Sequence, residues 1–193
     1  RLNITGAFAP VLIVPDLVSG YDDVWVNGTI PQTHKNRMEC GTVPMKHILV
    51  TGGSGFIGSN LTLELQSRYP EATIRVLDDF RASSFKNLIG FRGDVLAFDA
   101  SDPSWMKIFK GQALDAIFHL ASITDTTVLD ERKMMYENIE GFRNILDLGV
   151  EKSCPVVYAS SAAVYGSQDE VMHIKDGGRP NNVYGFSKWV LEG

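Results

Sequence analysis

A short apolar run, Ile48-Leu49-Val50-Thr51, passes directly into Gly52-Gly53-Ser54-Gly55-Phe56-Ile57-Gly58, and a helical pattern begins inside that glycine loop. No other feature constrains the fold as tightly. Strand, glycine turn and helix start, in that order, make a cradle for a diphosphate: the glycines permit a tight turn and close main-chain approach, and the helix N-terminus offers unpaired N–H groups and positive potential. The loop reads as GxGxxG through Gly53, Gly55 and Gly58 and as GxxGxxG through Gly52, Gly55 and Gly58. An ATP-type loop needs Lys-Ser or Lys-Thr after its last glycine. Ser59-Asn60 stands there instead, so that class is set aside. A second run, Arg75-Val76-Leu77, ends on Asp78-Asp79. That lies about 20 residues past the loop, where a carboxylate meets the adenosine ribose hydroxyls of a dinucleotide. Asp78 is the expected ribose ligand. Its charge would repel a 2′-phosphate and favour NAD, whereas the nearby Arg81 and Lys86 could accommodate NADP, so both coenzymes stay open at this point.

From Met45 onward, short apolar runs alternate with helical patterns, the signature of βαβ units around a parallel sheet buried on both faces. The expected strands are Ile48–Thr51, Thr73–Leu77, Val95–Phe98, Ala116–Leu120 and Val156–Ser160. Ile57, Leu61 and Leu65 are expected to share one helical face, and Met135, Ile139, Phe142, Leu146 and Gly149 another. The Met134-Met135 pair reads as core packing, and Pro103 as the first turn of a short helix through Phe109. The fold class is therefore α/β, a doubly wound, Rossmann-type parallel sheet.

Composition narrows the setting. With 193 residues, 44% hydrophobic and a net charge of −5, the chain suits one globular domain with a short appendage, and it carries no clustered basic footprint for nucleic acid. No run approaches the roughly 18 uninterrupted apolar residues of a membrane span. Cys40 and Cys154 are far apart, without metal-ligand spacing. They suit a reducing cytoplasm, suggest no metal site and make poor candidate nucleophiles. Residues 1–44 hold four of the eight prolines and one apolar run, Val11-Leu12-Ile13-Val14. The reading places the natural start at Met45, with residues 1–44 a leader or extension; the alternative is a real N-terminal strand docked on the domain. Sequons at Asn3, Asn27 and Asn60 read as accidents, Asn60 because it falls within a helix.

Near the C-terminal end, Tyr184-Gly185-Phe186-Ser187-Lys188 sets a phenol and an ammonium at i and i+4, neighbours on one helical face roughly 5–6 Å apart at Cβ. Ser161 stands just past the fifth expected strand, where open α/β sheets place their ligands. These residue types suit proton transfer coupled to hydride transfer. A tyrosine with an ordinary pKa of ~10 needs about three units of lowering to act as a base near neutrality, and a neighbouring cation helps to supply it. A serine at that point can hydrogen-bond the reacting oxygen. His119, alone in a strand, is expected to be packed and hydrogen-bonded, with no chemistry assigned.

These segments resemble a family, the extended short-chain dehydrogenase/reductases of the NAD-dependent epimerase/dehydratase type that act on nucleotide sugars. Ile48–Gly58 resembles its TGxxGxxG loop, and Ile117-Phe118-His119-Leu120-Ala121-Ser122 its HLA strand end. Ser160-Ser161-Ala162-Ala163-Val164-Tyr165-Gly166 is similar to its serine segment, and Asn181–Lys188 to its NxYGxSK helix start. The resemblance implies that the Phe56 and Ile57 amides, with Gly52, Gly55 and Gly58, meet the pyrophosphate, that Asp78 and Asp79 meet the ribose, and that Asp99 meets the adenine. Leu120, Ala121, Ser122 and Thr124 would line the cofactor, and Asn138 would hold its neighbouring helix and ribose. Tyr184 would be the acid/base, Lys188 its electrostatic partner and ribose ligand, and Ser161 the donor to the substrate oxygen. Thr126-Thr127, Lys133-Met134-Met135 and Tyr158–Ala163 point within the family to epimerases of a nucleotide-linked heptose. A 4-epimerase or 4,6-dehydratase is the runner-up, although Ala162-Ala163 offers no acidic pair of the dehydratase kind; a non-catalytic NAD(P)-binding scaffold or sensor is the other alternative. The family also carries a C-terminal substrate domain after the Tyr-xxx-Lys helix, expected to be missing here, and its members imply a homo-oligomer for the full-length protein.

Overall fold

A computed structural model describes residues 11–13, 45–125, 130–167 and 177–192. In chain order the strands are β1 (Val11–Ile13), β2 (His47–Thr51), β3 (Thr73–Leu77), β4 (Asp94–Leu96), β5 (Ala116–His119) and β6 (Val156–Ala159). The helices are α1 (Phe56–Arg68), α2 (Glu131–Lys152) and α3 (Val183–Glu192). Short 3-10 turns cover Phe85–Leu88, Pro103–Phe109 and Ala162–Tyr165. The last two begin on the Asp102 and Ser161 side chains, which accept from Ser104 N and Ala163 N.

The sheet runs β1-β6-β5-β2-β3-β4. Five strands are parallel, and β1 lies antiparallel on the outer edge of β6, with Leu12 opposite Tyr158. Residues 14–44, with Cys40 and Asn27, lie outside the described residues, as do Asn3 and Thr126-Thr127. Because β2 is flanked by β3 on one side and β5 on the other, the chain leaves the two halves of the sheet in opposite directions. A crevice opens at the carboxyl ends of β2 and β5, the switch point where such sheets take ligands.

Alternation of side chains across β2 builds two cores. Ile48 and Val50 pack with Leu65 of α1 and Ile74, whereas Leu49 packs with Leu77, Trp105, Phe109, Ile117, Ile145 and Leu148 on the α2 side. This two-sided burial is why the strands read as unbroken apolar runs.

Two helical faces differ from the expected ones. On α1 the buried residues are Gly58, Ser59, Thr62 and Leu65, while Ile57 is 63% exposed. The helix lies so close to β2 and its loop that a Cβ on Gly58 would stand 2.0 Å from Gly52 O, and only small residues fit that contact. An apolar period cannot mark a face made of Gly, Ser and Thr. On α2 the buried stripe runs through Met134, Asn138, Gly141, Ile145 and Leu148, with Phe142 and Gly149 also inside; Met135, Ile139 and Leu146 are half-buried. The stripe is turned because Asn138 and Asn144 face inward. Asn144 Nδ2 donates to Ala100 O at 3.0 Å and to Ser101 O at 3.1 Å, so loop backbone satisfies a polar side chain that patterning would place in solvent. Asn60 sits on α1 with its amide on Phe56 O, 2.7 Å away.

Candidate functional site

The glycine loop is shaped by one backbone requirement. Gly52 adopts φ +66°, and a Cβ there would lie 2.6 Å from Ala121 N, so the turn brings β2 against the chain leaving β5 only without a side chain. Its own N–H donates to Leu77 O at 2.8 Å, and Gly55 N donates back to Gly52 O at 3.1 Å. The first intrahelical bond of α1 is Ser59 N to Gly55 O at 2.9 Å. The Phe56, Ile57 and Gly58 amides therefore precede the ladder and point out of the helix start, where an anion is favoured.

Asp78 is buried beside this loop. Its Oδ2 accepts from Ser54 N at 3.0 Å, and its Oδ1 accepts from Phe80 N at 2.9 Å and Ser83 Oγ at 3.0 Å. It thus holds the glycine turn from the end of β3. Asp79 accepts from Arg81 N at 3.0 Å and pairs with the Arg81 Nε. The same guanidinium reaches Asp99, after β4, and Glu137, on α2. Burial works against the Arg81 charge, but the Glu137 hydrogen bond and the Asp79 and Asp99 carboxylates outweigh it and raise its pKa further. Asp99 is pushed up by burial and held down more strongly by the Ser101 amide and hydroxyl, both at 2.8 Å, and by Arg81; the result lies below the ordinary carboxylate value. Lys86, in the Phe85–Leu88 turn, does not line this region.

Across the cleft, α3 carries Tyr184 and Lys188. Lys188 is 2% exposed; its Nζ donates to Ala159 O at 3.0 Å and sits 6.0 Å from the Tyr184 ring centre. Burial lowers its pKa to about 8, which keeps it mostly cationic at neutrality and its charge poorly screened. Gly185 lets α3 reach the Ser161-capped turn, since a Cβ there would stand 2.4 Å from Ala163 O. Asn138 Oδ1 accepts from Ile123 N at 2.7 Å, and its Nδ2 donates to Ile123 O and to Ser187 Oγ. Ser187 donates onward to Tyr184 O at 2.7 Å. His119 is buried as expected, its Nδ1 2.7 Å from Thr51 Oγ1 and its ring against Phe142; burial, then the Lys188 charge, lowers its pKa to about 3, so it is neutral.

These elements enclose a cleft of about 510 Å³. Gly52, Gly55, Phe56, Ile57, Gly58, Asp78, Asp79, Asp99, Leu120, Ala121, Ser122, Thr124, Asn138, Tyr184 and Lys188 all line it. Ser161 does not; its neighbours Ala159 and Ser160 do. The residues fit a dinucleotide. The Ser122 hydroxyl is buried on the cleft wall with no hydrogen-bond partner among the described residues, and Phe56, Ile57 and Gly58 at the start of α1 line the same cleft. Glu137 and Ser187 are absent from the sequence-derived set. Adjacency to Asn138 and Lys188 is the only signal that could have flagged them. Cys154 is buried, and burial with the Asp115 charge pushes its thiol up to about 11.

Residues 48–192 match the NAD dependent epimerase/dehydratase family. The chain belongs to that family. Among its members, the ADP-L-glycero-D-manno-heptose-6-epimerase of Cupriavidus pinatubonensis is 33% identical over 147 residues, which is 75% of this chain and 44% of that protein. The crystal structure of the Helicobacter pylori ADP-L-glycero-D-manno-heptose-6-epimerase superposes with a TM-score of 0.72 at 40% identity, covering 77% of this chain and 49% of that one. A UDP-glucose-4-epimerase from Stenotrophomonas maltophila, solved with bound NAD and formylated UDP-arabinopyranose, gives 0.67 at 26% identity over 77% and 46%. The chain spans about half the length of these epimerase/dehydratase family members. Among the described residues no helix is long and apolar enough to cross a membrane.

Proposed function

We propose that the whole protein is a nucleotide-sugar epimerase that transiently oxidises a sugar hydroxyl against a bound nicotinamide dinucleotide, with a nucleotide-linked heptose as substrate. The observation that carries this reading is the meeting of two independent features on one cleft: the Gly52–Gly58 cradle on β2–α1 and the Tyr184/Lys188 pair on α3. A cofactor fold alone would need only the first. The similarity to two heptose epimerases favours that sugar class, and the likeness to UDP-sugar 4-epimerases supports the runner-up.

The nicotinamide ring, when bound, supplies a reversible two-electron acceptor. The chain's own residues do the rest. The Phe56, Ile57 and Gly58 amides bind the diphosphate, and Asp78, already holding the turn through Ser54 N, offers its carboxylate to the ribose. Tyr184 takes the proton of the reacting hydroxyl through its phenol oxygen and returns it when the substrate ketone is reduced from the other face. Lys188, desolvated and anchored on Ala159 O with its Nζ 6.0 Å from the Tyr184 ring centre, places a poorly screened cation beside the phenol. Ser161, which accepts from Ala163 N at 3.2 Å and lies one residue past the cleft-lining Ser160, would turn its hydroxyl proton to the reacting oxygen. A scaffold or sensor would have no use for all three of these groups, and all three are present.

Calorimetric titration of the chain with NAD and NADP tests the binding half, and neither coenzyme giving heat on a folded sample would end the reading. For the chemistry, Tyr184→Phe in the whole protein is expected to keep coenzyme binding and lose turnover of an ADP-heptose. Preferred turnover of UDP-hexoses by the unaltered protein would transfer the assignment to the 4-epimerase branch.

A further inference from the structure

The carboxyl end of β6 is laced to α3 through three successive residues. The Tyr158 hydroxyl donates to Leu191 O at 3.3 Å, Ala159 O accepts from Lys188 Nζ at 3.0 Å, and Ser160 Oγ bonds the Glu192 carboxylate. Burial, then the Glu192 charge, pushes the Tyr158 phenol up to about 12, so it keeps its proton for the first of these bonds. Lys188 and Glu192 stand at i and i+4 on one face of α3. The peptide joining Ala159 to Ser160 is therefore gripped twice, by the ammonium on its carbonyl oxygen and by the carboxylate on the hydroxyl of the residue that follows.

The same clamp separates the roles of two adjacent serines. An ionised carboxylate only accepts, so Ser160 is the donor in its bond to Glu192 and its proton is already given. Ser161 Oγ is used the other way round: it accepts from Ala163 N at 3.2 Å, which leaves its own proton to donate. Ser160 lines the cleft together with Tyr184 and Lys188, whereas Glu192 does not. Glu192 can act on the site only through the strand end that carries both serines.

We infer that Glu192 is a positioning residue for the reaction. By taking the Ser160 proton it fixes the strand end from which Ser161 is presented and the carbonyl on which Lys188 is anchored, and it leaves Ser161 as the serine of the pair that donates to the reacting oxygen. This inference rests on the epimerase reading and deepens it.

The test is steady-state kinetics of the whole protein on whichever of an ADP-heptose and a UDP-hexose it turns over, with calorimetric titration of coenzyme alongside, for the native protein, Glu192→Ala, Glu192→Gln and Ser160→Ala. Glu192→Ala should lower kcat about tenfold while KM and coenzyme affinity stay within about twofold, because what is lost is alignment of the reacting groups. Glu192→Gln keeps a side-chain oxygen that accepts from Ser160 and should recover most of that loss. Ser160→Ala should match Glu192→Ala, and combining the two should lower kcat no further, since both remove one bond. Should Glu192→Ala fail to fold by circular dichroism, Ser160→Ala carries the same expectation. Native kcat in folded Glu192→Ala or Ser160→Ala, an equal loss in Glu192→Gln and Glu192→Ala, or a loss that falls on KM rather than kcat overturns the positioning role while leaving the epimerase reading intact. Absence of turnover of both sugar nucleotides by the native protein overturns both.

Discussion

Asn138 on α2 donates through Nδ2 to Ser187 Oγ on α3, 3.0 Å away, and both side chains are buried. Through this bond the chain segment leaving β5, held by Asn138 at Ile123, is tied to the helix that presents Tyr184 and Lys188. Asn138→Ala strands the N–H and C=O of Ile123, and a loss on the order of 2–4 kcal/mol of stability is expected. Ser187→Ala should cost about 1–2 kcal/mol, since Asn138 keeps its other partners. Urea denaturation of both single variants and the double variant should show coupling of about 1 kcal/mol, and strict additivity would mean the bond does not link the two helices.

The approach of α3 to the serine turn depends on Gly185. Gly185→Ala puts a methyl 2.4 Å from the main-chain oxygen of Ala163, which cannot rotate aside. A destabilisation of roughly 1–3 kcal/mol is expected as α3 is pushed off the turn capped by Ser161. Thermal unfolding reads this out; an unchanged midpoint would show that the helix is not seated there.

Two buried bases set the pH response. His119 titrates at about 3 in the folded chain against ~6.5 unfolded, so the unfolded state binds more protons between those values and stability falls as pH drops below ~6.5. Lys188 titrates at about 8 against ~10.4 unfolded, so the same sign applies and stability rises between pH 8 and ~10.4. Each slope is at most about 1.4 kcal/mol per pH unit. Chemical denaturation from pH 4.5 to 6.5 should show a shallower dependence for His119→Gln than for the native chain. Parallel curves would mean the imidazole is accessible to protons.

Cys154 should resist modification. With 2% exposure and a thiol pushed up to about 11, it presents almost no thiolate at pH 7.5. Peptide mapping after a maleimide pulse is expected to find Cys154 unlabelled in the native state and labelled in denaturant. Rapid native labelling would indicate that the α2–β6 junction opens readily.

Much of this was written locally. Each parallel strand was legible to within one or two residues at its ends, because burial on both faces leaves an unbroken apolar run. The placement of the glycine loop, Asp78 and the Tyr184/Lys188 pair on one cleft was legible because each is set by residues a few positions apart, or by the fixed offset of one βαβ unit. What pattern could not supply was anything set by contact between distant segments. The inward face of α1 is built from Gly58, Ser59 and Thr62, chosen for size and carrying no hydrophobic signal. The stripe on α2 is turned by Asn138 and Asn144, whose polarity is satisfied only by loops that fold back on them. Arg81, three residues past Asp78 in sequence, has its charge paired not only by its neighbour Asp79 but by the distant Asp99 and Glu137. Periodicity reports which way a side chain points along its own element; only the assembled tertiary structure decides what stands opposite it.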